Sequence, residues 1–435
     1  MTEAFLQYVW RHRLLSGSLV THQGQPVTVV SPGIQNVDAG PDFENSQIVI
    51  DGVRWAGSVE VHVNSSDWNQ HGHTSDPAYN NVVLHVVYEH DCDIRTESGR
   101  VLPEVELKRY IPMELWARYE SLMNPPSHTI ACAGDLDNVS EFEKSAWLER
   151  LVVERLQRKA TSVEQMLDDC KGSWETCCYW LLAHYFGGKA NAFPFELLAK
   201  ATPMTMLARY KDDPLRIEAL LMGQSGMLDG YFIDDYPRIL QAEYDILRKG
   251  FSLTPLSQRL WKFFRLRPTS FPTVRISQFA ALVSASSNLF SRLLEAPDVK
   301  TLASFFDVCA SDYWTTHFQF DKQSTASEKR VGKMLIDTLI INAWVPLLFV
   351  YGKHHDREDL CDRAVELLRQ MKPESNTIVS KWRSCGMKPR DAADSQALLQ
   401  LHNSYCDQHR CCDCRMGYIL MRGAAPHNET LQSKT

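Results

Sequence analysis

The first quarter of the chain carries the alternating pattern of apolar and polar residues that is typical of β-strands. Across residues 53–63, apolar or small side chains recur at every second position, and Glu60 and His62 lie between them. Successive side chains of a strand point to opposite faces, so Glu60 and His62 are predicted to share one face. Asp51-Gly52 precedes this run, and an Asp-Gly pair between two strand-like runs predicts a β-hairpin.

The patterns along the chain predict an α+β protein. The N-terminal order is helix, strand, two-strand hairpin, short helix and buried strand, at 4–15, 25–30, 46–50 with 53–63, 67–80 and 82–88. An edge strand is predicted at 101–107. From Ser140 onward the pattern is helical, including segments at about 254–265 and 275–294. We therefore predict an α/β domain at 1–125, a large all-α domain at 126–422 and a disordered tail at 423–435.

Composition narrows the class of protein. The chain has 435 residues, of which 44% are hydrophobic and 23% charged, as in ordinary globular proteins. No apolar run reaches the 18 residues of a membrane span, and the N-terminus does not resemble a signal peptide. We expect a cytoplasmic protein that does not enter a membrane, in which the 12 cysteines do not form a disulfide framework.

Charge is distributed unevenly. Residues 1–112 hold 14 acidic and 7 basic side chains, which accounts for the whole net charge of −7. An acidic unit suits a cation better than a nucleic acid, whose phosphates bind Lys and Arg. Residues 246–294 hold basic and aromatic side chains and no acid, which is one pattern of a nucleic-acid surface. An equally good alternative is a basic helix pair that meets acidic surface of the same protein. The candidate phosphate ligands there are Lys262, Arg265, Arg267 and Arg275.

Two carboxylates and nearby histidines are the main candidates for catalysis. Asp42 and Glu60 are predicted on neighbouring strands, where they could hold Mg²⁺ or Mn²⁺. Such a metal lowers the pKa of bound water and neutralises a phosphodiester, and His62 could orient the water or bind the metal. His71 and His73, with Asp76, could instead form a Zn²⁺ or Mn²⁺ site. The alternative is a loop whose histidines bond the backbone. His85 lies in an apolar run and is expected to be a core residue.

The C-terminal cysteines form a second candidate metal site. Cys406, Cys411 and Cys414 fall within nine residues, a spacing that favours Zn²⁺ or a [4Fe–4S] cluster in a reducing compartment. Cys412 is adjacent to Cys411 and is awkwardly placed to share the site. Four ligands are needed, and we expect Cys132 to be the fourth, with His409 as the runner-up.

Two family resemblances add to these patterns. Pro41-Asp42, Glu60 and the helix–strand order resemble the PD-(D/E)XK nucleases, whose restriction-endonuclease-like core is an αβββαβ unit. His62 stands where that superfamily has Lys. Some of these nucleases also carry a cysteine-bound cluster, with one cysteine before the core, whereas Cys132 follows it. The whole chain resembles the bacterial domain of unknown function 2851 family, in segments such as NVDAGPDF, WAGSVEVHVNSSDWNQHGH and YCDQHRCCDC.

The resemblance to the nucleases implies a metal-dependent hydrolase of phosphodiester bonds in DNA or RNA, with Asp42, Glu60 and His62 as catalytic residues. Two alternatives remain open at this point. The chain could bind nucleic acid or act as a scaffold with a degenerate nuclease core, because His62 replaces the usual Lys. It could also be another metallohydrolase built on His71, His73 and Asp76.

Overall fold

The computed structural model describes residues 1–125, 130–285 and 288–423, and within them the chain divides into two compact units. The first unit comprises Met1–Trp147 and the C-terminal segment from His402, and the second comprises Leu148–Leu401. The sequence-based ranges place that C-terminal segment in the helical domain, whereas in the structure it belongs with the N-terminal sheet. The predicted disordered tail lies outside the described residues, apart from Gly423.

A seven-stranded sheet forms the centre of the first unit. The strands are β1 (Leu19–Val20), β2 (Pro26–Ser31), β3 (Ile34–Gln35), β4 (Phe43–Ile50), β5 (Val53–Asn64), β6 (Val82–Glu89) and β7 (Glu104–Glu106). The helices are α1 (Glu3–His12), α2 (Asp67–Gln70), α3 (Met113–Met123), the start of α4 (Glu141–Asp169) and α18 (Arg415–Arg422). Short 3-10 turns and a π-helical turn, His402–Cys406, complete it.

The order of strands in the sheet is β1-β2-β4-β5-β6-β7, and β3 also pairs with β4. Strands β2, β4 and β5 are antiparallel neighbours, whereas β6 is parallel to β5 and β7 is parallel to β6. A parallel pair needs a crossover, and the segment with α2 supplies it between β5 and β6. The predicted order of one helix, three strands, a short helix and a strand is confirmed, and the edge strand predicted at 101–107 is observed as the shorter β7. Strands β1 and β3 were not predicted.

Local sequence explains the boundaries of the elements around the candidate site. Thr2 caps α1 by accepting a hydrogen bond from the backbone N–H of Phe5, and Arg13 ends this helix in the left-handed conformation. Asp51 and Gly52 both have positive φ, 49° and 76°, which is the geometry of the tight hairpin turn between β4 and β5. This turn fixes the register that brings β4 alongside β5.

The second unit is largely helical. Its helices are the remainder of α4, then α5 (Trp174–Phe186), α6 (Gly188–Ala201), α7 (Met204–Leu207), α8 (Pro214–Gln224), α9 (Asp235–Phe251), α10 (Pro272–Ala285), α11 (Leu289–Glu295), α12 (Val299–Phe306), α13 (Lys333–Leu339), α14 (Val345–His354), α15 (Glu358–Arg369), α16 (Thr377–Ser384) and α17 (Ala392–Leu401). One short antiparallel pair, β8 (His317–Gln319) and β9 (Lys322–Gln323), departs from the predicted all-α domain.

The basic stretch of the second unit differs from its predicted helical form. Residues 254–265 form an irregular segment with a 3-10 turn, Gln258–Leu260, and a further turn at residues 264–265, rather than a helix. Ser252 ends α9 with a φ of 53°, and Arg265 also has a positive φ, 61°. Pro255 and Pro268 restrict the residues before them and supply no backbone donor, so a continuous helix is disfavoured here.

One continuous helical segment of the second unit, Lys333–His354, is long and apolar enough to cross a membrane. About two-thirds of its most apolar window (67%) is buried inside the protein. A core helix of a folded domain satisfies the same criteria, so this segment is weak support for a membrane span.

Candidate metal centre

Polar side chains form a row across one face of the sheet. Glu60 of β5 is paired in register with His85 of β6, and His85 is paired with Glu104 of β7. Asp42 immediately precedes β4, whose Phe43 is paired with Val59, so it lies at the level of Glu60. Neighbours in register point to the same face, and therefore Asp42, just before β4, and the three residues of β5, β6 and β7 share that face.

Asp42 and Glu60 contact each other through the backbone. The backbone N–H of Asp42 donates to Glu60 Oε2 at 2.9 Å, and the N–H of Val61 donates to Asp42 Oδ2 at 2.9 Å. Gln7 of α1 donates to the other Asp42 oxygen at 2.7 Å. Each oxygen keeps a further lone pair. The two carboxylates are thus held in fixed positions, and Glu60 Oε1 remains directed at the histidines.

Two imidazoles, those of His62 and His73, approach Glu60 Oε1, and the imidazole of His71 lies beside His62. Ligand atoms of His62, His71 and His73 all lie within 4.8 Å of one another. His62 Nε2 is 3.1 Å from His71 Nδ1 and 3.5 Å from Glu60 Oε1, and His73 Nε2 is 3.3 Å from that same oxygen. His62 is 1% exposed, whereas His71 is exposed and His73 is half-buried. The candidate site is therefore closed to solvent at His62 and open to solvent at His71.

A chain of hydrogen bonds holds His62 from behind. His62 Nδ1 is 2.9 Å from His85 Nε2, and His85 Nδ1 is 2.9 Å from Glu104 Oε2. An ionised carboxylate only accepts, so a neutral His85 donates through Nδ1 and accepts at Nε2. His62 must then donate through Nδ1, which leaves the lone pair of its Nε2 facing Glu60 and the other imidazoles. Metal-binding histidines are held by outer partners in this way.

Without a bound cation, the site favours the uncharged forms of its carboxyl groups and imidazoles. Burial, with a smaller effect of the neighbouring imidazoles, lowers the pKa of His62 to about 2 and that of His73 to about 4. Burial and then the charge of Asp42 raise the pKa of Glu60 well above its ordinary value, and burial also raises the pKa of Asp42. A bound divalent cation would stabilise the carboxylates, and neutral imidazoles are the form that binds metal.

The donor set indicates which metals fit. Imidazole nitrogens suit Zn²⁺ and Fe²⁺ best, whereas Mg²⁺ prefers oxygen ligands and water, and Mn²⁺ also favours oxygen but is less strict than Mg²⁺. His62, His71 and His73 offer three nitrogens within 4.8 Å of one another, and Glu60 Oε1 adds one oxygen beside His62 and His73. Of the two metals expected from sequence at the acidic pair, Mn²⁺ fits this set better. The two separate sites considered from sequence, one on the acids and one on the loop histidines, fall at a single place.

Two acidic residues of the loop between β5 and β6, Asp67 and Asp76, bond the backbone rather than the histidines. Asp67 accepts a hydrogen bond from the backbone N–H of Asn64 at 2.8 Å, and Asp76 accepts one from Ala78 at 2.9 Å. These contacts shape the loop that presents His71 and His73. Asp76 therefore acts as a cap in the structure, although the sequence also allowed it to be a metal ligand.

Sequence reasoning did not identify three polar residues that complete the site. Glu104 lies in the predicted edge strand, and it is 3% exposed. Glu3 and Gln7 lie on α1, where Glu3 Oε1 is 4.0 Å from His62 Nε2. Glu3 and Gln7 are spaced one helical turn apart, which places them on the same helix face and was a usable signal. Nothing in the sequence showed which strand would lie next to His85.

The four cysteines expected to form a site all belong to the first unit. Cys406 ends the π-helical turn, Cys411 begins a 3-10 turn, Cys414 precedes α18, and Cys132 lies in the turn that follows residues 126–129. The charges of Cys132, Cys414 and Cys411 act on Cys406, so these thiols are neighbours. His409, the alternative fourth ligand, is exposed and has a φ of 52°.

The four basic candidates lie in the second unit. Lys262, Arg265 and Arg267 are exposed, and Arg265 stacks over the ring of Phe264, which is itself 83% exposed. Arg275 is half-buried in α10 and donates to Gln278 at 3.0 Å. Burial lowers the pKa of Arg275 to about 10. Arg275 is therefore a poorer phosphate ligand than the three exposed residues.

Comparison with known proteins establishes the family. The profile described as protein of unknown function (DUF2851) matches residues 3–377. The chain belongs to the DUF2851 family. No curated protein and no solved structure matches it. The matched range of this DUF2851 protein includes Asp42, Glu60 and the three histidines, together with Cys132, and ends before Cys406.

Proposed function

We propose that the first unit is a metal-dependent hydrolase of phosphodiester bonds, a nuclease acting on DNA or RNA. The main support is that Asp42 and Glu60 meet across neighbouring strands, with His62 two residues after Glu60 on the same buried face. The element order α1, β2, β4, β5, α2, β6 is also the αβββαβ order of a restriction-endonuclease-like core.

The chain's own residues have distinct roles in this proposal. Glu60, His62, His71 and His73 hold a divalent cation, which when bound supplies an acidified water and neutralises phosphate charge. Asp42 keeps Glu60 in place through its backbone N–H and retains a lone pair for a cation or water. His71 is exposed, so a phosphodiester can approach the metal site from the side of His71. The permanent charge of the superfamily's Lys is absent, so charge neutralisation rests on the cation.

The test is cleavage of labelled single- and double-stranded DNA and RNA by the full chain, with Mn²⁺, Zn²⁺ or Mg²⁺ added in turn. We expect Mn²⁺-stimulated cleavage that falls at least about 100-fold in Glu60→Gln and His62→Ala. Glu44→Gln, an exposed acid on β4, is the matched control and should cleave normally. Cleavage by Glu60→Gln at the wild-type rate would refute the assignment. Nucleic-acid binding without metal-stimulated cleavage would favour a scaffold with a degenerate core.

A second candidate is a metallohydrolase whose substrate is not a nucleic acid. The excess of acidic residues in 1–112, 14 against 7, favours it, since that charge repels a polyanion. Small phosphodiester and ester substrates, assayed with the same metals, distinguish the two. Turnover that is lost in His73→Ala and is not inhibited by added DNA or RNA would support this candidate.

A further inference from the structure

A second metal site is indicated by the cysteines of the first unit. We propose that Cys132, Cys406, Cys411 and Cys414 bind a thiolate-coordinated metal centre, a Zn²⁺ ion or an iron–sulfur cluster. This site is distinct from the histidine and carboxylate group on the sheet. It would fasten the C-terminal segment, from His402 onward, to the turn that contains Cys132.

The backbone gathers three of these cysteines in a tight loop. The N–H of His409 donates to the carbonyl of Cys406 at 3.1 Å, and the N–H of Cys414 donates to the carbonyl of Cys411 at 3.2 Å. The loop lies close against α18, because a Cβ added at Gly417 would be only 2.0 Å from the Cys411 carbonyl oxygen. Cys411 Sγ also lies 3.5 Å from the carbonyl of Leu122 in α3.

The surroundings of the sulfur atoms suit metal binding. Cys414 is 7% exposed and lies at the N-terminus of α18, where the backbone N–H groups of Gly417 and Met416 donate to it. N–H groups at a helix N-terminus stabilise a thiolate. Cys132, Cys411 and Cys414 are close enough to Cys406 for their charges to raise its pKa, in addition to the larger effect of burial.

Four neighbouring thiols, one of them buried and three half-buried, suit a metal better than they suit a hydrophobic core. None of the four is in a disulfide. Binding of Zn²⁺ would form four metal–sulfur bonds and release four protons to solvent, and a preassembled cluster would displace the same protons. Each sulfur would then be ionised and paired with the cation, which removes the cost of placing a thiolate in a buried site.

Cys412 provides a matched control within the same loop. Cys412 is adjacent to Cys411, which acts on it electrostatically, but the charge of Cys412 acts on Tyr8 and Tyr119 and is not among those that act on Cys406. A Cys412→Ser variant therefore changes a neighbouring thiol in the same segment and should leave the proposed site intact.

The experiment is elemental analysis and visible absorption of the full chain purified without oxygen. We expect about one zinc, or about four iron atoms with a brown chromophore, lost in Cys132→Ser and Cys406→Ser and retained in Cys412→Ser. The same metal must also be retained in a His71→Ala, His73→Ala double variant, which empties only the other site. Failure of the proposed nuclease site is thereby distinguished from failure of this one.

A measurement on the unaltered protein covers the case in which the variants do not fold. Thiols that react with a coloured reagent are counted before and after treatment with a strong chelator, and we expect about four more after metal removal. Absence of both metals in the unaltered protein, or an unchanged thiol count, would overturn the proposal. Full metal content in Cys406→Ser would do so as well.

Discussion

His62 and His85 are joined by a hydrogen bond of 2.9 Å between Nδ1 of the first and Nε2 of the second. Both side chains are essentially inaccessible, at 1% and 0% exposed. Because Glu104 accepts from the other nitrogen of His85, the tautomers of both rings are fixed. The lone pair of His62 Nε2 is therefore directed at Glu60 before any metal arrives, and the site is preorganised on rigid strands.

Replacing Glu104 by Gln should weaken metal binding without unfolding the protein. A neutral amide accepts more weakly than a carboxylate and can also donate, so the tautomers of His85 and His62 are no longer fixed. Loss of such an outer partner typically reduces metal affinity by about 10–100-fold. Titration of Mn²⁺ or Zn²⁺ against a competing indicator measures the change.

The control for this change is Glu106→Gln on the same strand. Glu106 is half-buried and pairs with Arg109 at 3.6 Å, away from His85. The metal affinity of the Glu106→Gln variant should match that of the unaltered protein. Equal affinities in the Glu104 and Glu106 variants would mean that Glu104 contributes packing alone.

In metal-free protein, Glu60→Gln should become more stable relative to the unaltered chain as pH rises. The folded state raises the pKa of Glu60 above its unfolded value of about 4.5, so the folded state holds the proton more tightly. The stability from that proton is fully present below pH 4.5 and is lost as the pH rises through the folded-state pKa. The difference should grow by up to about 1.4 kcal/mol per pH unit.

Urea unfolding at several pH values between about 5 and 9, in the presence of a chelator, measures this difference. Adding Mn²⁺ should reverse the order of stability, because only the carboxylate of the unaltered chain then pairs with the cation. Parallel curves for the two proteins at all pH values would show that Glu60 is already ionised without metal.

Local patterns predicted much of this site, and distant pairings limited the rest. Alternation along residues 53–63 predicted the strand that is observed as Val53–Asn64, and Asp51-Gly52 predicted its turn. Both depend on neighbours in sequence. Which strand would lie beside β6 depends on the whole sheet, so Glu104 was not recognised as a partner of His85.

The basic stretch shows a second limit of sequence reasoning. Its apolar and basic residues recur at spacings that a helix would also produce, and this led to the wrong helix at 254–265. The backbone is decided instead by Pro255 and Pro268, and by left-handed conformations at Ser252 and Arg265. Proline and positive φ outweigh a periodic pattern because a helix interior tolerates neither.

If the second unit binds nucleic acid, its exposed basic residues should contribute to affinity mainly through phosphates. Single replacement of Lys262, Arg265 or Arg267 by Ala should weaken binding and lower the slope of log affinity against log salt by about 0.9 each. Fluorescence anisotropy with labelled DNA or RNA at several salt concentrations measures both. Arg330→Ala is the control, since Arg330 already pairs with Asp307 and Glu328. Identical slopes in all variants would place the phosphate contacts elsewhere.

Gly417→Ala should disturb the loop that contains Cys406, Cys411 and Cys414. The new Cβ would lie 2.0 Å from the carbonyl oxygen of Cys411, a backbone atom that cannot turn aside like a flexible side chain. We expect a loss of about 1–3 kcal/mol in unfolding free energy, together with loss of metal from the cysteine site. Gly250→Ala in α9, where a Cβ meets nothing within 4 Å, should keep its metal and be as stable as the unaltered protein or slightly more stable. Thermal unfolding and elemental analysis of the two variants test this prediction. Full metal content in Gly417→Ala would show that the cysteine site does not depend on the close approach of Gly417 to Cys411.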